Sequence, residues 1–398
     1  MKKSLLALAA MSAFAGAAQA QSSVTVYGLY DGGLNVNTRE SKATSATVAT
    51  VLSNSDLTGN QQTSSRLGFR GSEDLGGGLT ANFNLELGFN PGTGSVDATT
   101  VPGISGQNQS DSVRTSVVGL SSKALGELRI GRQLSGAFVV GAGDIFAGSN
   151  MVGDIVASSH GGATGNTTNT RVYRQATRFN GASYFTPNIS GFVARLDYSN
   201  SMSTGGSLTD VGATAATSGT GAGVNNITSA QVANRGISGN YLIGPVKIAA
   251  GHHQVTSNGN ATNAAGTVSK TTINQASIAY IQGPLTAQYT HAQNNTDAGA
   301  VNTTAMTRAS KVSANRFALQ YAVTPTIVPF AMYGTGKSEM TVATPTASDN
   351  TAYLLGANYH LSKRTRLYGV YGNQKAEVKS TTASAETKEY GLGIVHTF

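Results

Sequence analysis

Apolar side chains recur at every second position through much of the chain. In Tyr390 to Phe398, the last nine residues, Tyr390, Leu392, Ile394 and Phe398 alternate with small or polar residues. In Ser65 to Gly71, Leu67 and Phe69 share one face, while Arg66, Gly68 and Arg70 share the other. In Glu127 to Gly131, Leu128 and Ile130 oppose Glu127, Arg129 and Gly131. In Arg178 to Phe185, Phe179 and Phe185 oppose Arg178 and Asn180. A period of two marks a β-strand with one oily and one polar face. A strand that ends the chain has no later partner, so it closes a sheet or stands as an edge.

The alternating stretches are joined in turn by very short and by long connections. The short ones are Glu73 to Gly78, Ser122 to Gly126, Thr186 to Gly191, Gly244-Pro245, Gly283-Pro284, Thr324 to Thr326 and Leu361 to Arg364. All but the last carry Gly, Pro, Asn or Asp, the residues that tight reversals require. The long ones fall near 38–63, 90–112, 133–172, 200–234, 255–271, 294–311, 337–350 and 374–387, rich in Ser, Thr, Asn, Gly and Ala. Seven short and eight long connections separate 16 strands, an even number that puts both termini on one side.

Residues 1–20 read as an export signal. Lys2 and Lys3 precede an apolar run from Leu5 to Ala18, and Ala18-Gln19-Ala20 is a small-x-small cleavage site. The mature chain, expected over 21–398, is then one domain of about 24 residues per strand and connection, which suits strands of roughly 10 residues. It contains no apolar run long enough for a transmembrane helix. There is no cysteine, so no disulfide holds this exported chain together.

Composition decides which face is outside. Charged residues make up 12% of the chain, about half the usual share, yet mean hydropathy is only −0.12. Low charge with a polar average suits an oily exterior around a wet interior. An Arg facing lipid near the midplane costs roughly 2–4 kcal/mol, so the arginines go inside and the apolar set outside. A soluble sandwich shows the same alternation with its oily face inward. The signal, the low charge, the absent cysteines and the terminal aromatic favour the membrane. Without Lys2 and Lys3 the formal charge falls from +8 to +6, which fits ordinary solubility and a cationic lumen equally.

Ser23 to Asp31, Ser65 to Leu79, Arg114 to Leu120, Gly131-Arg132-Gln133 and the terminal His396-Thr397-Phe398 together resemble one family. It is that of the trimeric general-diffusion porins of Gram-negative bacteria, in its beta-proteobacterial and neisserial branch. The resemblance covers the whole mature chain. It implies an all-β fold, a 16-stranded antiparallel transmembrane barrel in the cell outer membrane, with the third long loop (L3) folded into the lumen. It also implies a homotrimer, contact with outer-membrane lipid and lipopolysaccharide, and a terminal Phe398 read by the outer-membrane assembly machinery. His396 stands where the family usually has an aromatic.

The family's constriction sets loop acids against wall arginines. Carried over by position, Arg66, Arg114 and Arg178 match the wall arginines. Arg70 shares the inward face of Arg66, either within that cluster or nearer the periplasmic mouth. Asp144 and Asp154 are the acids in the stretch from Leu134 to Val172. Arg132 has the parity of Leu128 and Ile130 and marks the rim or the start of the loop. Arg171 and Arg174 flank the loop's exit as mouth charges. Opposed charges across a narrow wet gap set up a transverse field that sorts solutes by polarity, while net charge tilts ion passage. The expected function is passive diffusion of ions and small hydrophilic solutes with a weak anion preference. The alternative is a channel specific for an anion or a sugar.

Other chemistries find little support. Gly334-Thr-Gly-Lys-Ser338 looks like the end of a phosphate-binding loop, but Ala331 stands where its first Gly is required and no helical pattern follows. His252 and His253 are adjacent, so on a strand they face opposite ways and share no metal. No basic patch with interleaved aromatics points to nucleic acid. No cofactor, metal or enzymatic activity is expected.

Overall fold

The structure, a computed structural model, describes residues 23–42, 48–92, 94, 113–141, 152–156, 178–203, 230–258, 267–300, 307–341, 346–379 and 381–398. The segment read as an export signal and Asp144, Arg171 and Arg174 lie outside the described residues.

One antiparallel sheet closes on itself. Its strands are β1 (Ser23–Lys42), β2 (Thr50–Gly59), β3 (Arg66–Gly76), β4 (Leu79–Gly88), β5 (Val113–Ser122), β6 (Gly126–Leu134), β7 (Arg178–Phe185), β8 (Phe192–Ser203) and β9 (Ala230–Ile243). Then come β10 (Val246–Asn258), β11 (Thr267–Gln282), β12 (Leu285–Ala300), β13 (Thr307–Tyr321), β14 (Ile327–Met340), β15 (Thr346–His360), β16 (Thr365–Val378) and β17 (Ser384–Thr397). β1 pairs with β3 through Ser23 to Leu29 and with β2 through Gly32 to Ser41. β2 and β3 therefore share one place, and the 17 strands fill 16 positions around the barrel. β1 and β17 close the ring from Leu29 opposite Thr397 to Lys42 opposite Ser384. Phe398 and Gly28 exchange backbone hydrogen bonds of 3.1 Å in both directions.

Closure removes the sheet's edges, the condition for burying strands in lipid. The faces sort accordingly. Val24, Val118 and Leu392 are 60–65% exposed on the outside, whereas the inward Arg316 is 1% exposed. Tyr289, Phe317, Tyr333 and Tyr353 lie directly opposite one another across β12 to β15, and Tyr371 and Tyr390 continue the row. This row is an interfacial aromatic belt, built from Tyr and Phe in a chain without Trp.

Two expectations are corrected. The stretches near 38–63, 255–271, 294–311, 337–350 and 374–387 are largely strand rather than loop. β11 and β12 have 16 residues each, about 50 Å of extended chain, well beyond the hydrocarbon core. Outside the lipid both faces meet water, so hydrophobic alternation fades while the ladder continues. Thr271 and Thr296, for example, sit opposite each other with hydroxyls 3.2 Å apart.

The faces of β7 are also reversed. Phe179 is 3% exposed and packs inward against the His253 ring, at 5.8 Å between centroids. Phe185 lies under the guanidiniums of Arg129 and Arg195. Tyr184 is on the outside, and Arg178 and Asn180 share its parity. Inside the barrel these rings meet the His253 ring and the Arg129 and Arg195 guanidiniums rather than lipid.

Candidate functional site

Glu86 gathers a charged cluster on the lumen wall. It lies on β4, where Asn82, Asn84 and Glu86 alternate with Phe83, Leu85 and Leu87. The Arg114 Nε donates to its Oε1 at 2.6 Å, and the Arg66 guanidinium is 3.9 Å from the same oxygen. The Tyr27 hydroxyl donates to Glu86 at 3.1 Å and lies 2.9 Å from Asn84 Oδ1. The Arg70 guanidinium stands over the Tyr27 ring, 5.2 Å from its centroid. Arg66 and Arg114 thus meet at one carboxylate, with Arg70 next to them over the Tyr27 ring.

Arg114 reaches the lumen because of a β-bulge. By simple alternation it shares the face of Val118 and Leu120, which are on the outside. Between β4 and β5, Glu86 pairs with Thr115 but Leu87 with Val113, leaving Arg114 as the extra residue. A bulge re-aims its side chain without disturbing the strands on either side. Arg178 and Arg132 make different contacts. Their Nε groups donate to the backbone carbonyls of Arg114 at 2.9 Å and of Val113 at 2.7 Å, at the start of β5. On β6 and β7 they share the face of Leu128 and Tyr184.

After β6 the chain turns into the barrel through a short helix, α1 (Gly136–Gly141), which packs on β9 to β11. The Asp197 carboxylate on β8 accepts the Gly136 N–H at 2.8 Å and also hydrogen bonds from Arg195 Nε and Ser183 Oγ, both at 2.6 Å. Ser277 Oγ holds the Val140 carbonyl at 3.0 Å. Further on, residues 152–156 are pressed against the opposite part of the wall. Glu389 accepts the Val152 N–H at 2.7 Å. Asp154 is fully buried and takes two hydrogen bonds, 2.8 and 3.0 Å, from Nη1 of Arg316 on β13. Ile155 and Val156 join Ala137, Ile273, Ala292, Val312, Ala314 and Ala352 in an apolar cluster inside the barrel.

Missing side chains shape this seat. A Cβ on Gly372 would lie 1.7 Å from the Val152 carbonyl oxygen, and one on Gly334 would lie 2.4 Å from Ile155 Cγ2. The phosphate-loop-like Gly334 to Ser338 is thus a strand whose inward glycines make room for Ile155. His252 and His253 do face opposite ways. His253 is buried, with Nε2 3.3 Å from Asn234 Oδ1, and His252 is exposed against Asn274. Among the described residues no group of three His, Cys, Asp or Glu could hold a metal ion.

The structure brings Arg66, Arg70 and Arg114 together, and it sets Asp154 against Arg316 rather than against them. Glu86, Asp197, Arg195, Arg316, Glu389 and the buried Asp31 are among the charged residues that sequence reading passed over. Their signal was present. Each is a charged residue on the face opposite the lipid-facing apolar set, where charge has a purpose or a partner.

A closed transmembrane barrel, oily outside and charged within, with its chain folded back into the lumen, is a pore. The chain belongs to the Gram-negative porin family, whose model matches residues 7–379. It is an outer-membrane, multi-pass β-barrel that passes solutes by diffusion. An outer membrane porin protein of Bordetella pertussis is 30% identical over 423 aligned positions, covering all of both chains. Outer membrane porin protein 32 of Delftia acidovorans is 35% identical over 207 residues, 50% of this chain and 49% of its own. Among solved structures, an anion-selective porin from Comamonas acidovorans matches with TM-score 0.62 and 22% identity, over 95% of this chain and 100% of its own. Salmonella typhi OmpF matches at 0.56 and 14%, over 94% and 97%.

Proposed function

We propose that Arg66, Arg70 and Arg114 form one side of a charged constriction and give this passive channel a weak preference for anions. The observation that carries this reading is the convergence of Arg66 and Arg114 on one Glu86 oxygen, at 3.9 and 2.6 Å. Guanidinium groups keep their charge even when crowded. Asp154, the described loop acid, is neutralised by Arg316, which leaves the wall cluster net positive. One solved porin similar to this chain in fold, that of Comamonas acidovorans, is anion-selective.

The zero-current potential across a planar bilayer in a KCl gradient tests this. Wild type is expected to pass Cl⁻ over K⁺. Arg66→Ala with Arg114→Ala is expected to lower the permeability ratio about three-fold or more, since each removes a fixed positive charge beside the path. A wild-type pore that favours K⁺, or a double variant that leaves the potential unchanged, defeats the reading.

The same reading includes the rest of the molecule's life. Residues 1–20 direct export and are removed, Arg178, whose Nε donates to the Arg114 carbonyl, belongs to the same arginine set, Arg132, Arg171 and Arg174 serve as mouth charges, and Asp144 is a further acid of the inward loop. The mature barrel assembles as a homotrimer among outer-membrane lipids and lipopolysaccharide, with Phe398 read by the assembly machinery. It needs no cofactor and catalyses no reaction.

A further inference from the structure

Between β2 and β3 the barrel wall is interrupted. Six residues, Asn60 to Ser65, leave the strand line and tuck against the inside of β1 and β16, with Gln61 and Gln62 nearly fully buried. The break is organised around Asp31, a wholly buried carboxylate on β1. Its Oδ2 accepts the backbone N–H groups of Gln62 and Thr63, both at 2.8 Å. Its Oδ1 accepts the Tyr368 hydroxyl at 2.8 Å. Its backbone completes the clamp, since Asn60 N donates to its carbonyl at 2.9 Å and its own N–H donates to Ser65 Oγ at 2.9 Å.

The clamped segment in turn holds Arg66. The Arg66 Nε donates to the Ser64 carbonyl at 3.0 Å, and Nη2 to Thr63 Oγ1 at 2.8 Å. We propose that Asp31 is a positioning residue for ion selection, holding the 60–65 segment so that Thr63 and Ser64 aim the Arg66 guanidinium at Glu86. The inference rests on the role given to Arg66 above. It makes an unusual prediction of sign. Removing a carboxylate near a pore ordinarily favours anions. Removing this one releases Arg66, so anion preference falls.

The experiment measures zero-current potentials in a KCl gradient for the full-length porin and its variants, with heat-dependent gel mobility as the check of folding. Asp31→Ala is expected to lower the Cl⁻/K⁺ permeability ratio about two-fold. In an Arg66→Ala background the same change is expected to do nothing more, because coupled residues are not additive. Asp31→Asn is expected to stay near wild type. Its remaining oxygen still accepts the two backbone N–H groups, and the Tyr368 hydroxyl accepts from the amide while donating to Gln61 Oε1, 2.9 Å away. If Asp31→Ala fails to fold, Thr63→Ala carries the test, with the same expected fall. An unchanged or raised ratio in the folded variants overturns the proposal. An unchanged ratio in Arg66→Ala alone instead overturns the reading of the constriction.

Discussion

At the scale of single residues, one carboxylate is set among the guanidiniums and another behind them, and their effects oppose. Glu86 touches Arg114 directly and faces Arg66 and Tyr27. Glu86→Gln keeps an oxygen for Arg114 and removes a negative charge from the path. Its Cl⁻/K⁺ permeability ratio is expected to rise about two-fold, read from the zero-current potential. A fall would mean that Glu86 mainly orders the arginines, as Asp31 does. Alternation placed Arg66 and Arg70 inside, because the opposite face of β3 carries Leu67 and Phe69. It could not place Arg114 by itself, since a bulge is an extra residue in one strand relative to its partner. Nor could it pair Asp154 with Arg316, which are 162 positions apart.

At the scale of elements, the inward segments behave as pegs in a prepared wall. Gly372 meets the Val152 carbonyl with no space for a Cβ, and Gly334 meets Ile155 in the same way. Gly372→Val is expected to leave the barrel folded and heat-resistant, because the side chain points into the lumen and disturbs no strand pairing. It displaces residues 152–156 from the wall, which raises the fluctuation of single-channel current and shifts mean conductance from wild type. A quiet channel of unchanged conductance would show that this contact is dispensable. Strand number was legible from turns and alternation, but strand length was not. Hydrophobic alternation reports the lipid layer, and β11 and β12 outrun it. The face of β7 was misread for a related reason. Phe179 and Phe185 are apolar, but their neighbours are His253, Arg129 and Arg195 inside the barrel.

At the scale of the whole molecule, closure through β1 and β17 joins the first and last strands into a hydrogen-bonded ring. Such a ring opens only by breaking a complete ladder between two strands. The folded porin is therefore expected to migrate on detergent gels as a compact species without heating and as a 398-residue precursor, or its shorter mature form, after boiling. A single heat-insensitive band would contradict the closed ring. The amino-acid sequence by itself determined that the chain is a barrel with lipid outside and charge inside, because alternation and turn chemistry are local properties of neighbouring residues. Only the tertiary structure decided which charges meet. It set Arg114 and Arg66 on Glu86, Asp154 on Arg316, and Asp31 under the 60–65 segment. Those pairings join strands far apart in the chain, and they depend on register, a bulge and the path of an inward loop, which no local pattern records.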